Sequence, residues 1–123
     1  MATALSILLV DDSRLILTKL GNEVASMPGV EKVLKAATYE AAVEFLQKET
    51  VHVLLLDINL KGRSGIELLE YVRVQHPAVK TIMVTNQGND YYRNICQNLG
   101  SIGFIDKSHE LDLLPDLISN CAA

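Results

Sequence analysis

Five short apolar runs recur along the chain: LSILLV (5–10), VEKVLKA (30–36), VHVLLL (51–56), VKTIMVT (79–85) and IGFI (102–105). Four are nearly continuous in Val, Ile and Leu, which suits strands buried on both faces of a parallel sheet. VEKVLKA interleaves Glu31, Lys32 and Lys35 and reads as an edge strand. The segments between the runs follow a helical period. Over 13–27, Leu17, Leu20, Val24 and Met27 form one stripe, with Ser13 as N-cap and the Met27-Pro28-Gly29 stretch as the stop. Segment 38–49 carries Ala42, Val43 and Leu46. Segment 64–75 opens on a capping box of Ser64 and Glu67 and carries Leu68, Leu69 and Val72. Segment 90–99 carries Tyr92, Ile95, Cys96 and Leu99, with Gly100 as its C′ residue. The last helix carries Leu114, Leu117 and Ile118. Pro115 is harmless only in a first turn, so this helix is predicted to start near Asp112.

Strand and helix thus alternate five times. That predicts an α/β domain over 1–123, with a parallel sheet, helices on both faces and right-handed crossovers. For five strands the expected arrangement is a flavodoxin-like, doubly wound (βα)5 sheet in the order 2-1-3-4-5. This order sets the first and third strands side by side, and their carboxyl ends flank the position where such folds bind ligands.

The residues after each strand then become informative. Asp11 and Asp12 follow the first strand, Asp57 follows the third, Thr85 ends the fourth and Lys107 follows the fifth. All lie on one edge of the expected sheet. Taken singly, each has an ordinary reading: helix cap, turn former, strand-end residue or solvated lysine. Together, three carboxylates, a hydroxyl and an ammonium converge on one pit. Two carboxylates about 5 Å apart repel by roughly 3 kcal/mol at an effective dielectric of 20. Lys107 offsets part of that, and a divalent cation would offset more. Oxygen ligands with open water positions suit Mg²⁺. A pit so equipped attracts a phosphoryl group, and attack by Asp57 would give an acyl phosphate.

The motifs VDD (10–12), LLLDINLKGRSGIELL (54–69), VTN (84–86) and FIDK (104–107) resemble, in order and spacing, those of the response-regulator receiver domains of two-component phosphorelays, the chemotaxis regulators among them. The resemblance covers essentially the whole chain. It implies a phosphoacceptor switch in which Asp57 takes phosphate from a histidine kinase or histidine phosphotransfer protein. It implies direct Mg²⁺ ligation by Asp12 and Asp57, a ligand from the Asn59 backbone carbonyl, and help from Asp11 through water. It implies that Lys107 pairs with the phosphoryl group and that Thr85 moves inward to hydrogen-bond it. Phe104 stands at the family's aromatic switch position and would rotate inward with Thr85. With no hydroxyl to anchor it, its outward position is expected to be held less firmly than a tyrosine's.

The chain departs from the family pattern in places. Lys61 stands where proline is common. Ser108 also replaces a proline, often joined through a cis bond, so Lys107–Ser108 is expected to be trans, re-aiming 108–111. Asn86 replaces a small residue and would narrow access to Asp57. Asn59 and Gln87 stand two residues after Asp57 and Thr85, at positions that tune phosphate loss in the family. Both are polar and would orient a hydrolytic water, so an acyl phosphate lasting minutes is expected.

Composition narrows the alternatives. The 123 residues are 49% hydrophobic and 21% charged, as in an ordinary globular domain. No apolar run reaches the roughly 18 residues of a membrane span, and the N-terminus lacks the basic start of a signal peptide, so a cytoplasmic location is expected. A net charge of −4 with no basic cluster argues against nucleic-acid binding. Cys96 and Cys121 read as reduced thiols, and His52, His76 and His109 form no catalytic pattern. Beyond self-catalysed phosphorylation and dephosphorylation, no enzymatic activity is expected. One rival is a Mg²⁺-dependent phosphatase with an aspartate nucleophile, which would want a second acid where Asn59 stands. The other is a receiver-like binding module that has lost phosphorylation, against which the full residue set argues.

The output is a downstream protein or effector domain that the residues do not name. The chain reads as a stand-alone regulator or a piece of a longer one. The face of the last two helices and fifth strand, around Tyr91, Phe104 and His109, is the candidate output or homodimer surface, with ordinary solvated surface the alternative. Leu15, opposite the first helix's stripe, is a candidate contact for the phosphodonor.

Overall fold

A computed structural model describes residues 4–86 and 89–121 of the chain. In order they form β1 (Leu5–Val10), α1 (Arg14–Ala25), β2 (Val30–Ala36), α2 (Tyr39–Lys48), β3 (Val53–Leu56), α3 (Gly65–Gln75), β4 (Lys80–Thr85), α4 (Asp90–Asn98), β5 (Gly103–Asp106), a 3₁₀ turn (Leu111–Leu113) and α5 (Leu114–Cys121). The strands make one parallel sheet in the order β2-β1-β3-β4-β5, as the alternation predicted.

The near-continuous apolar runs are explained by two cores, one on each face. Ile7, Leu9, Val53, Leu55, Ile82, Val84 and Ile105 pack with Leu17, Leu20 and Val24 of α1 and Leu114 and Ile118 of α5. The alternate residues Leu8, Val10, Leu54, Leu56, Met83 and Phe104 pack with α2, α3 and α4 through Ala42, Leu46, Leu68, Leu69 and Cys96. A strand covered on both sides has no polar face to show. β2 is half-exposed, as expected of an edge. β5 is the opposite edge, as the predicted order requires, but it is less buried than its apolar run suggested, with only Phe104 and Ile105 buried.

Local chemistry sets the boundaries. Ser13, Thr38, Ser64 and Asn89 each cap a helix by accepting a backbone N–H with the side-chain oxygen. The reciprocal capping box predicted for α3 does not form. Ser64 accepts from Ile66 N, but the Glu67 carboxylate turns to Arg63 Nε at 3.0 Å, because a cation four residues away is a stronger partner than a neutral amide. β3 starts at Val53, two residues later than predicted; the His52 ring Nδ1 accepts from Ser6 N at 2.9 Å. Gly100 closes α4 at φ +96°, with Ser101 N bonding Cys96 O and Gly100 N bonding Gln97 O, the paired bonds of a Schellman motif. Pro115 sits in the first turn of α5, which the 3₁₀ turn leads in.

The register brings the sheet's polar edge together. Val10 pairs with Leu56, so Asp11 and Asp57 leave β1 and β3 side by side, tied by the bond from Asp57 N to Val10 O. Thr85 pairs with Asp106, so Lys107 emerges next to Thr85 and donates its N–H to the Thr85 carbonyl at 3.0 Å.

Gly65, the first residue of α3, permits the tightest approach. Its N–H reaches Ile58 O at 2.6 Å, and a Cβ there would stand 1.9 Å from the Asp57 carbonyl oxygen. Backbone cannot swing aside as a side-chain tip can. Gly65→Ala is expected to cost roughly 2 kcal/mol or more and to displace Asp57, read as a lower urea midpoint.

Candidate functional site

Asp11, Asp12 and Asp57 offer carboxylate oxygens that all lie within 4.8 Å of one another. Asp11 and Asp57 are 2% and 5% exposed, and Asp12 is half-buried. The grouping follows from strand ends: β1 delivers two acids in succession, β3 one. Asp11 also accepts from Ser13 N at 2.9 Å, turning the chain into α1.

Lys107 answers the acids. Its Nζ lies 2.5 Å from Asp11 Oδ2 and 2.9 Å from Asp57 Oδ2, and its side chain is 10% exposed. Burial pushes the Asp11 carboxyl above its ordinary range despite the bond from Lys107. Burial also works to lower the Lys107 pKa, but the bonds and charges of Asp11 and Asp57 together raise it above the usual lysine value. One ammonium thus serves two buried carboxylates, and among the described residues no cation pairs with Asp12. Three hard oxygen donors with surplus negative charge are the ligand chemistry of a divalent cation such as Mg²⁺.

Around this cluster lie the remaining residues singled out from the sequence. Thr85 is fully buried at the end of β4. Asn59 N donates to Asp57 Oδ1 at 3.3 Å, and Asn59 and Asn86 line the depression that the acids open into. Gln87 lies outside the described residues. No described peptide bond is cis, so Lys107–Ser108 is trans as expected. The turn after it closes through Asp106 instead: Ser108 N donates to its carboxylate, and Glu110 Oε1 accepts from Asp106 N.

Phe104 lies beneath the surface around Tyr91 and His109 rather than in it, contrary to the grouping expected from the sequence. Its ring is 8% exposed and belongs to the core shared with α4. Arg93 covers it: the guanidinium lies 4.8 Å from the ring centroid, bonds Phe104 O at 3.1 Å and sits 3.6 Å from Glu110. Tyr91 is exposed, and so is Leu15 on α1. Sequence reasoning missed Arg93, Glu110 and Gly65. The glycine directly after the cap Ser64 was the available signal, since a helix start rarely needs one.

Comparison with known proteins agrees with the fold. The family model described as the response regulator receiver domain matches residues 7–119. The nitrate/nitrite response regulator protein NarP of Escherichia coli is 27% identical over 119 residues, covering 95% of this chain and 54% of that protein. A protein-glutamate methylesterase/protein-glutamine glutaminase of Anaeromyxobacter dehalogenans is 36% identical over 76 residues, 62% of this chain and 21% of the relative. The chain therefore spans about half, or less, of these relatives' length. Among solved structures, a CheY-like receiver domain protein from Methanospirillum hungatei JF-1 superposes with a TM-score of 0.83 at 29% identity, covering 97% of this chain and 94% of that one.

The acid cluster has a stability signature. Because Asp11 is raised in the fold, the native protein loses stability as pH climbs from 3.8 through that raised value. Asp11→Asn removes this loss. In cation-free buffer the variant is expected to be more stable near pH 7 by on the order of 1 kcal/mol, with lost attraction to Lys107 set against relieved repulsion. The advantage should vanish below pH 3.8. Urea unfolding across pH measures it.

Proposed function

The chain belongs to the response regulator receiver domain family, and on that premise we propose that it is a signalling switch whose phosphoacceptor is Asp57. The observation that carries the reading is the convergence of Asp11, Asp12 and Asp57 with Lys107 at one edge of the sheet.

A phosphohistidine of a kinase or phosphotransfer protein presents its phosphorus to the Asp57 carboxylate. With a proton already on the other ring nitrogen of the phosphohistidine, the P–N bond breaks as a P–O bond forms, leaving an acyl phosphate on Asp57 and a neutral imidazole on the donor. The residues fit a Mg²⁺ ion held by Asp12, Asp57 and the Asn59 carbonyl, with Asp11 assisting; such an ion, when bound, supplies charge neutralisation for the phosphoryl oxygens. Lys107 starts 2.9 Å from Asp57 and follows the charge onto the phosphoryl group. Its backbone is already pinned to Thr85, so the ammonium needs only side-chain torsions to move. Ser13 N–H keeps Asp11 oriented towards the cluster.

The switch requires differential contacts. Taking an equilibrium from 1:99 to 99:1 needs about 5.5 kcal/mol. Charge-assisted bonds from Lys107 and Thr85 to the phosphoryl group, roughly 1.5–3 kcal/mol each, supply much of it. Movement of Thr85 reaches the output face through β5, where Phe104 is packed beneath Arg93 of α4. That face, with Tyr91 exposed on α4, meets the downstream protein, effector domain or second copy. Leu15, 66% exposed on the helix that follows Asp12, contacts the phosphodonor.

Incubation with acetyl phosphate and Mg²⁺, followed by mass measurement, should add one phosphoryl group to the protein and none to Asp57→Asn. A wild-type protein that gains no mass would leave the chain a binding module instead. The polar Asn59 at the pit, with Gln87 two residues after Thr85 in the sequence, predicts spontaneous loss of the label within minutes. A half-life near a day would contradict the role given to them.

A further inference from the structure

The loop between Asp57 and the start of α3 must hold the Asn59 carbonyl in place, yet its tip, Lys61-Gly62-Arg63, is exposed. Its two shoulders are anchored: Ile58 and Leu60 are buried in the core, and Ser64 caps α3. An antiparallel bridge joins Asn59 to Ser64 across the loop, so whatever fixes Arg63 and Ser64 also fixes Asn59. Arg63 is fixed from another helix. Its guanidinium lies over the ring of Tyr39, the first residue of α2, with Cζ 3.7 Å from the centroid. Glu67 Oε2 also accepts from the Arg63 Nε–H at 3.0 Å. The Tyr39 ring is itself braced edge-on by Tyr71 of α3 at 6.4 Å.

We infer that Tyr39 is a positioning residue for the cation and phosphoryl site, acting through Arg63 as a clamp on the loop that carries Asn59. The inference rests on the phosphoacceptor reading above and deepens it. The clamp is suited to this task for two reasons. A ring and a planar cation attract each other without a buried charge, so the contact survives at the surface where an ordinary ion pair is screened. It also joins α2 to the Asp57 loop directly, a link the sheet does not provide.

Cation affinity reads the clamp without any phosphodonor. Mn²⁺ is titrated into the whole chain and the unbound ion is counted by its paramagnetic resonance signal. Arg63→Gln alters an exposed residue and spares the core; Tyr39→Leu removes the ring; Tyr39→Phe keeps it. Arg63→Gln and Tyr39→Leu should each weaken Mn²⁺ binding by about 2- to 5-fold. The double variant should be no weaker than the worse single one, and Tyr39→Phe should bind like the wild type. Unchanged affinity in Arg63→Gln, or losses that multiply in the double variant, would overturn the clamp. Weighing the wild type after acetyl phosphate treatment tests the parent reading separately: no added mass sinks that reading, while the Mn²⁺ titration still judges the clamp.

Discussion

Two carboxylates buried within a few ångströms of each other cannot both stay ionised without a cation beside them. The polar edge of this sheet is organised around that constraint. Asp11 and Asp57 are brought together by the β1–β3 register, Lys107 reaches both, and the sum is still negative once Asp12 is added. Burial holds the Asp11 carboxyl above its ordinary range despite the lysine beside it. Such a site carries surplus negative charge. It gains from a bound cation and from anything that brings cationic partners nearer, which is why stability and chemistry are opposed in the same few side chains.

The scaffold answers this strain with rigidity on one side and adjustability on the other. The parallel ladder fixes Asp11 and Asp57 through backbone bonds, and the Gly65 amide locks α3 against the strand end at Ile58. Lys107 has its backbone fixed and its long side chain left to move. Beyond it, the turn from Asp106 to Glu110 is closed by side-chain bonds, and Glu110 then reaches Arg93 over Phe104. Among the described residues, a packed route thus runs from Thr85 through β5 to α4. The aromatic ring at the end of that route is buried without a polar anchor of its own, and Arg93 supplies the cover.

Much of this was legible in the residues. Runs such as LLLD and FIDK declared strands whose next residue is charged, and parallel topology forces all such ends to one edge. The caps Ser13 and Ser64 and the C′ glycine Gly100 were read from local chemistry and are found in those roles. Errors arose where two local partners competed. Glu67 matched a capping pattern, yet Arg63 was near enough to take its carboxylate. Phe104 was grouped with Tyr91 and His109 on the candidate output face, but Arg93, eleven residues away, covers it.

Sequence alone determined the strands, the helices, their order and the three acids and lysine at one rim, because hydrophobic periodicity and strand polarity are properties of neighbouring residues. Only tertiary structure decided which side chains close over that rim. The placement of Arg63 over Tyr39 and the cover of Arg93 over Phe104 depend on ångström-scale distances between separate elements. Packing geometry sets those distances, and no local pattern encodes it.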